Sequence, residues 1–225
     1  MTIRALIFDF DGLILDTEGP VFHSWQELLQ RYGYSMTLED WQVCIGSAEG
    51  TASFFKSLDD KLDRPIDLEA EGPQRLQREL EMVAQQPVLP GVNDYIQRAA
   101  QLGLKLAIAS SSSCKWVLGH LEDRGLRDYF ECVLGADDVG ITKPDPTLYT
   151  TALDCLGVSP DQAIAFEDSP NGVLAAKKAG LYCVAVPNPI TKQLEITGAD
   201  LHLDSLASLT LDQLLKTVDT KLQEH

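Results

Sequence analysis

The sequence predicts an α/β protein: a parallel sheet core with helices on both faces, plus a smaller all-helical unit inserted after the first strand. Three observations carry this. Near-continuous apolar runs bounded by Gly, Pro or Asp recur along the chain, as in strands buried on both faces. Segments with helical apolar spacing separate them, and strands alternating with helices build a parallel sheet. One stretch, from about Asp16 to Val88, holds helical patterns but no strand.

Taken in order, Ala5-Leu6-Ile7-Phe8 is the first run and Leu104-Lys105-Leu106-Ala107-Ile108-Ala109 the second. Cys132-Val133-Leu134, Ala163-Ile164-Ala165-Phe166 and Tyr182-Cys183-Val184-Ala185-Val186 follow, and Leu201-His202-Leu203 alternates like a short last strand. Val92, Ile96, Ala99 and Leu102 repeat at helical spacing up to Gly103. Tyr149, Ala152, Leu153 and Leu156 do the same, with Asp145 as N-cap, Pro146 at the first helical position and Gly157 as the stop. Ser169-Pro170 opens a helix that stops at Gly180. Leu211, Leu214, Leu215, Val218 and Leu222 form an amphipathic final helix. Within the insertion, Val21, Trp25, Leu28, Leu29 and Tyr32 make one stripe; Leu76, Leu80 and Val83, after Gly72-Pro73, make another. The α/β domain is therefore expected at residues 1–15 and 89–225 and the helical domain at 16–88, with residues 85–91 as the return linker.

Of 225 residues, 34 are Asp or Glu and 18 Lys or Arg, a formal net charge of −16. Such a surface repels phosphate at long range, which argues against nucleic acid and anionic membranes as partners. A small anionic ligand would need a local source of positive charge. No apolar run approaches the roughly 20 residues of a membrane helix. The N-terminus carries Asp9, Asp11 and Asp16 where a signal peptide would stay apolar. Cys44, Cys114, Cys132, Cys155 and Cys183 form no Cys-x-x-Cys pair, so five free thiols in a reducing cytoplasm are expected. A monomer is expected, with an oligomer left open.

Asp9-Phe10-Asp11-Gly12 carries the strongest chemical signal. Asp is depleted in strands, yet two stand two residues apart where the first strand ends. Residues i and i+2 of an extended chain point to one face, and that strand end is where open α/β sheets hold ligands. A calcium EF-hand is excluded: counting from Asp9, its glycine falls on Ile14 and its glutamate on Pro20. Glu167-Asp168 repeats the pattern after another parallel strand, on the same rim, though alone it could merely cap the next helix. Carboxylates gathered there repel unless a cation joins them, and hard oxygen donors without His or Cys suggest Mg2+. Thr142-Lys143-Pro144-Asp145-Pro146 supplies a positive side chain, with Lys143 pushed towards extended backbone by the proline after it. Ala109-Ser110-Ser111-Ser112-Ser113 runs from a strand into a helix start, where hydroxyls and N–H groups can seat a phosphate or simply cap the helix. No Gly-x-x-x-x-Gly-Lys-Ser/Thr loop, dinucleotide fingerprint, His-Glu-x-x-His or Gly-x-Ser-x-Gly occurs.

These four elements, at strand ends and in this order, resemble the motifs of the haloacid dehalogenase superfamily, whose core is Rossmann-like. Asp9-Phe10-Asp11-Gly12 resembles the first motif, Ser110 the second, Lys143 the third and Glu167-Asp168 the fourth. The insertion, and the opening run on to Asp16-Thr17-Glu18, resemble the branch of β-phosphoglucomutase and phosphoglycolate phosphatase-like enzymes, whose inserted cap sets substrate specificity. The resemblance implies a Mg2+-dependent phosphatase of small phosphorylated metabolites, sugar phosphates above all, working through an aspartyl phosphate. It implies Asp9 as nucleophile and Asp11 as general acid, then base. Mg2+ would sit on the Asp9 carboxylate, the Asp11 backbone carbonyl and Asp168, with Glu167 a ligand or a partner of the ligands. Ser110 and Lys143 would bind the phosphoryl group, Ser111 adding a contact.

Asp at position 11 resembles the phosphatases and mutases of the family, not its dehalogenases or cation pumps. Two departures weigh against a mutase. Val21 stands where the mutases carry His, and Glu49 follows Gly46-Ser47-Ala48 where they carry Arg. A β-phosphoglucomutase-like phosphotransferase remains the alternative, and a non-catalytic metal- or phosphate-binding regulatory protein the alternative of another class. The candidate specificity residues of the cap are His23, Trp25, Ser47, Glu49, Lys56, Arg75 and Arg78. Packing competes with that role for Trp25, and plain solvation for Lys56, Arg75 and Arg78.

Overall fold

The computed structural model describes residues 3–45, 48–58, 61, 62 and 64–223, without the side chains of 48–50 and 221–223. Ser47 and the side chains of Glu49 and Leu222 therefore lie outside the described residues. Six strands form one sheet: β1 (Ala5–Phe8), β2 (Lys105–Ala109), β3 (Cys132–Leu134), β4 (Ala163–Glu167), β5 (Tyr182–Ala185) and β6 (Leu201–His202). Their order is β3-β2-β1-β4-β5-β6, and every neighbouring pair is parallel. Five were legible as apolar runs and β6 as a short alternation, within a residue or two at the ends.

The two faces of the sheet differ in residue size. Ala5, Ala107, Ala109, Ala163, Ala165 and Ala185 face one side, where α8 (Thr147–Leu156) and α9 (Pro170–Lys178) pack with Leu148, Tyr149, Leu156 and Val173. Methyl-sized side chains let these helices lie close at crystal-like packing density. The other face carries large rings: Phe8 stacks on Phe166 at 4.7 Å between centroids. Tyr95 of α5 (Val92–Gln101) meets Phe166 edge-on at 5.6 Å, in the geometry aromatic pairs prefer. The Tyr95 hydroxyl donates to the Leu209 carbonyl at 2.7 Å, fixing the start of α10 (Leu211–Gln223) beside α5.

The sheet order reverses between β2 and β4 around β1, the switch point at which open α/β sheets bind ligands. Phe8 pairs in register with both Ile108 and Phe166. The residues after β1, β2 and β4 therefore emerge side by side at the carboxyl rim.

The chain divides into two compact units: Met1–Leu15, Val88–Asn188 and Glu195–His225 hold the sheet, while Asp16–Pro87 and Pro189–Leu194 form the other. The second unit contains α1 (Glu18–Gln30), α2 (Leu38–Trp41), α3 (Ala48–Ser57) and α4 (Leu68–Ala84). Phe22, Leu29, Trp41, Phe54 and Leu58 form its core, joined by Ile190 from the second segment. No periodicity linked residues 189–194 to the insertion, because the segment contributes one apolar side chain.

Three local expectations change. The helix of Tyr149 begins at Thr147, with Pro146 as its N-cap residue, although the Asp145 carboxylate still accepts from the Thr147 N–H at 3.0 Å. α4 begins at Leu68, before Gly72-Pro73, because Asp67 caps it by accepting from the Glu69 and Ala70 N–H groups. Leu76 and Leu80 of its stripe are 46% and 42% exposed, and only Val83 is buried. Lastly, Cys132 of β3 and Cys155 of α8 form a disulfide, with Cα atoms 6.5 Å apart; Cys44, Cys114 and Cys183 are free. Their separation of 23 residues forms no motif; packing of α8 beside β3 brings them together. Among the described residues, no helix is long and apolar enough to cross a membrane.

Candidate active site

Four segments meet at the carboxyl rim. Asp9 leaves β1 with its N–H donating to the Phe166 carbonyl at 3.0 Å. Glu167 ends β4, and Asp168 follows it. Lys143 reaches in from the loop before α8. Its ammonium donates to Asp9 Oδ1 at 2.5 Å and to Glu167 Oε1 at 2.6 Å, and all three side chains are buried. Burial alone would pull the Lys143 pKa down, but the two carboxylates outweigh it and hold it above the ordinary lysine value. Burial likewise drives the Asp9 carboxyl above its ordinary range, against the pull of Lys143. One ammonium between buried carboxylates leaves negative charge uncompensated.

That charge is concentrated. Single oxygens of Asp9, Glu167 and Asp168 lie within 4.8 Å of one another. Hard, buried oxygen donors of this kind suit a divalent cation such as Mg2+. The Glu167 carboxylate is fully engaged. Oε1 accepts from Lys143 and from the Tyr149 hydroxyl at 2.6 Å; Oε2 accepts from the Asp168 N–H at 3.2 Å and the Ser169 hydroxyl at 3.4 Å. Burial, then the Glu167 charge, raise the Tyr149 pKa well above that of an ordinary phenol, so it remains a donor. Asp168 Oδ2 accepts from the Asn188 amide at 2.7 Å, and the same amide donates to the Gly12 carbonyl at 3.2 Å.

Two glycines permit this crowding. Gly12 has φ +78°, and a Cβ there would overlap Asp168 Oδ2. A Cβ on Gly172, in the first turn of α9, would overlap the whole Glu167 carboxyl. Gly172→Ala is expected to cost about 1–3 kcal/mol through overpacking, read as a lower urea midpoint. An unchanged midpoint would show that Glu167 has room to move.

Asp11 lies near enough to Asp9 for its charge to add to the rise of the Asp9 pKa, after burial and the Glu167 charge. The strand has ended at Phe8, the Gly12 N–H donates to the Leu15 carbonyl at 2.8 Å, and the chain turns. Asp11 Oδ2 accepts from the hydroxyls of Ser112 at 2.7 Å and Ser110 at 3.2 Å, while Oδ1 accepts from the Trp116 indole N–H at 3.0 Å.

The serine run divides its labour. Ser110 bonds Asp11 and accepts from the Ser112 N–H at 3.0 Å. Ser111 accepts from the Lys143 N–H at 3.3 Å, Ser112 bonds Asp11, and Ser113 caps α6 (Cys114–Asp123) by accepting from the Trp116 N–H at 3.3 Å. Helix capping thus falls to Ser113, and the hydroxyls of Ser110, Ser111 and Ser112 bond within the site. Tyr149, Ser112, Trp116 and Asn188 were not singled out from the sequence. The one signal available was for Ser112, a hydroxyl two residues after Ser110.

The helical unit places its candidates on its own scaffold. His23 and Lys56 are exposed. Trp25 packs on Phe55 at 4.5 Å, and the Arg75 guanidinium lies 4.5 Å over the Trp25 ring. Arg75 also donates to Ser24 Oγ at 2.8 Å and pairs with Glu79. Arg78 pairs with both Glu27 oxygens at 3.0 Å. A cavity of about 400 Å³ opens between α1 and α4, lined by Glu27, Arg31, Arg75, Arg78 and Glu81 among others.

The family model for haloacid dehalogenase-like hydrolases matches residues 6–186. The chain is 43% identical to the Bacillus subtilis protein YhcW, over 97% of this chain and 99% of that one. It is 31% identical to a phosphorylated carbohydrates phosphatase of Thermotoga maritima, over 80% of this chain and 82% of that one. Among solved structures, a mutant of CbbY from Rhodobacter sphaeroides in complex with xylulose-(1,5)bisphosphate superposes with a TM-score of 0.73 at 30% identity. That match covers 92% of this chain and 96% of that one.

Proposed function

Because the chain belongs to the haloacid dehalogenase-like hydrolase family, whose model spans residues 6–186, we propose that it is a Mg2+-dependent phosphatase of small phosphorylated sugars. One observation carries the reading: Lys143 bridges Asp9 and Glu167 beside Asp168 in a buried cup at the sheet's switch point. The likeness to a phosphorylated carbohydrates phosphatase and to a sugar bisphosphate complex supports the substrate class.

Asp9 attacks phosphorus through a carboxylate oxygen, forming the acyl phosphate. The ester P–O bond breaks, its electron pair stays on the leaving oxygen, and that oxygen takes a proton from Asp11. Water then attacks the acyl phosphate and gives a proton to Asp11, releasing phosphate and restoring both carboxyls. Splitting the displacement in two makes each step easier. Lys143 and Ser110, with Ser111 beside them, hold the phosphoryl oxygens. Asp9, Asp168 and the Asp11 carbonyl would hold Mg2+, which when bound offsets the repulsion between attacking carboxylate and phosphate. Glu167, in the same cluster, fixes Lys143. Substrate choice is assigned to the helical unit, through His23, Trp25, Lys56, Arg75 and Arg78 and, outside the described residues, Ser47 and Glu49. Val21, in place of a mutase histidine, favours water over a second sugar hydroxyl as acceptor.

The test is phosphate release from a panel of sugar phosphates. Release with Mg2+ is expected to exceed release in EDTA by about 10²-fold or more, given the several kcal/mol a bound cation supplies. No release from any member of the panel would sink the reading.

A further inference from the structure

Trp116 stands outside the four motifs, yet its polar atom is committed to the site. The indole N–H donates to Asp11 Oδ1 at 3.0 Å. The ring is half-buried, not part of the apolar core. His120, one turn later on α6, meets it edge-on at 4.2 Å between centroids, and the Arg124 guanidinium lies 3.2 Å from His120 Nδ1. The Ser113 side chain holds the Trp116 backbone N–H. Residues 116, 120 and 124 thus form a column along one helix face that ends on Asp11.

The chemistry of the donors differs between the two Asp11 oxygens. An indole N–H only donates, whereas a serine hydroxyl donates and accepts. The oxygen facing Trp116 must therefore remain an acceptor. The oxygen facing Ser110 and Ser112 can hold a proton, because either hydroxyl can turn and accept it. With Ser110 read as a phosphoryl contact, the oxygen it bonds at 3.2 Å is the one turned towards the reacting group.

We propose that Trp116 is a positioning residue for Asp11: by occupying Oδ1, it leaves Oδ2 to carry the proton exchanged with the leaving group. This rests on the reading of Asp11 as general acid. In the first half-reaction Asp9 bonds to phosphorus, the ester bond breaks with its pair on the leaving oxygen, and the proton passes to that oxygen from Oδ2. Without the indole N–H, either oxygen holds the proton and the carboxyl can rotate about its own bond. The fraction aimed at the leaving oxygen falls.

The experiment compares kcat/KM for wild type, Trp116→Phe, Asp11→Asn and the double variant on two substrates. One is the best sugar phosphate of the panel, whose alkoxide leaving group needs the proton. The other is p-nitrophenyl phosphate, whose leaving group needs it little. Trp116→Phe is expected to lose about 10–100-fold on the sugar phosphate, the scale of one hydrogen bond to a charged group. Its loss on p-nitrophenyl phosphate should stay under about threefold, the small residue expected of a ring-preserving change. In the Asp11→Asn background it should cost nothing further, since the amide can still accept the indole N–H but has no carboxyl proton left to aim. Equal losses on both substrates, or losses that add to those of Asp11→Asn, would make Trp116 a packing residue and overturn the proposal. If Asp11→Asn itself affects both substrates equally, the general-acid reading fails, and the role of Trp116 with it. A urea midpoint for Trp116→Phe separates any loss of fold from loss of aim.

Discussion

Asp9→Asn is expected to reduce turnover by about 10⁴-fold or more, the scale on which removal of a covalent nucleophile acts, with the fold retained. The amide has the same size, and its carbonyl oxygen can still accept from Lys143, which keeps Glu167 as a second partner at 2.6 Å. An amide cannot form the acyl phosphate. Loss of activity should therefore come without a matching loss in the urea midpoint. Mass spectrometry of acid-quenched wild type should find a phosphoryl group on Asp9, absent from the variant. A variant that keeps a tenth of the activity would remove Asp9 from the role of nucleophile.

Lys143→Met acts on stability as well as on rate. It strips the ammonium from two carboxylates, of which Glu167 is 0% and Asp9 7% exposed. Breaking a buried ion pair from one side costs about 3–5 kcal/mol, because the remaining charge stays desolvated. Methionine fills most of the volume, so the loss reports charge and not a cavity. A cation that binds the folded cup and not the unfolded chain stabilises by mass action. Mg2+ should therefore recover more stability in Lys143→Met than it adds to the wild type. Urea unfolding with Mg2+ and with EDTA measures both terms. Equal midpoints for variant and wild type in EDTA would mean that Lys143 is not the internal counter-charge.

The rim was legible because its residues contradict their local setting. Two aspartates end an apolar strand, and a Glu-Asp pair ends another. Such violations of propensity survive where a tertiary role outweighs them. Parallel runs put both clusters on one edge without knowledge of the strand order. Tyr149 was legible only as a helical apolar residue, since its spacing with Ala152 and Leu156 says nothing about its hydroxyl. Ser112 hid inside a serine run whose simplest use is a helix cap. Asn188 lies 20 residues beyond Asp168, and no pattern joins them. The partners of Asp11 were not legible, because Ser112 and Trp116 reach it from a segment about 100 residues further along the chain. The exposed Leu76 and Leu80 show the same limit: periodicity gives a stripe, and packing decides whether the stripe is covered.

The bond between Lys143 and Asp9 spans 134 residues of chain, and Glu167 must arrive with Tyr149, Ser169 and a glycine at position 172 before its carboxyl is satisfied. Contacts of such sequence separation form late, after the cost of closing long loops has been met. During synthesis, Asp9 is made before β4 and α9 and must wait for them. A stalled or truncated nascent chain therefore carries Asp9 but cannot assemble the reactive cup around it. The appearance of phosphate release is then a clock for completion of the sheet.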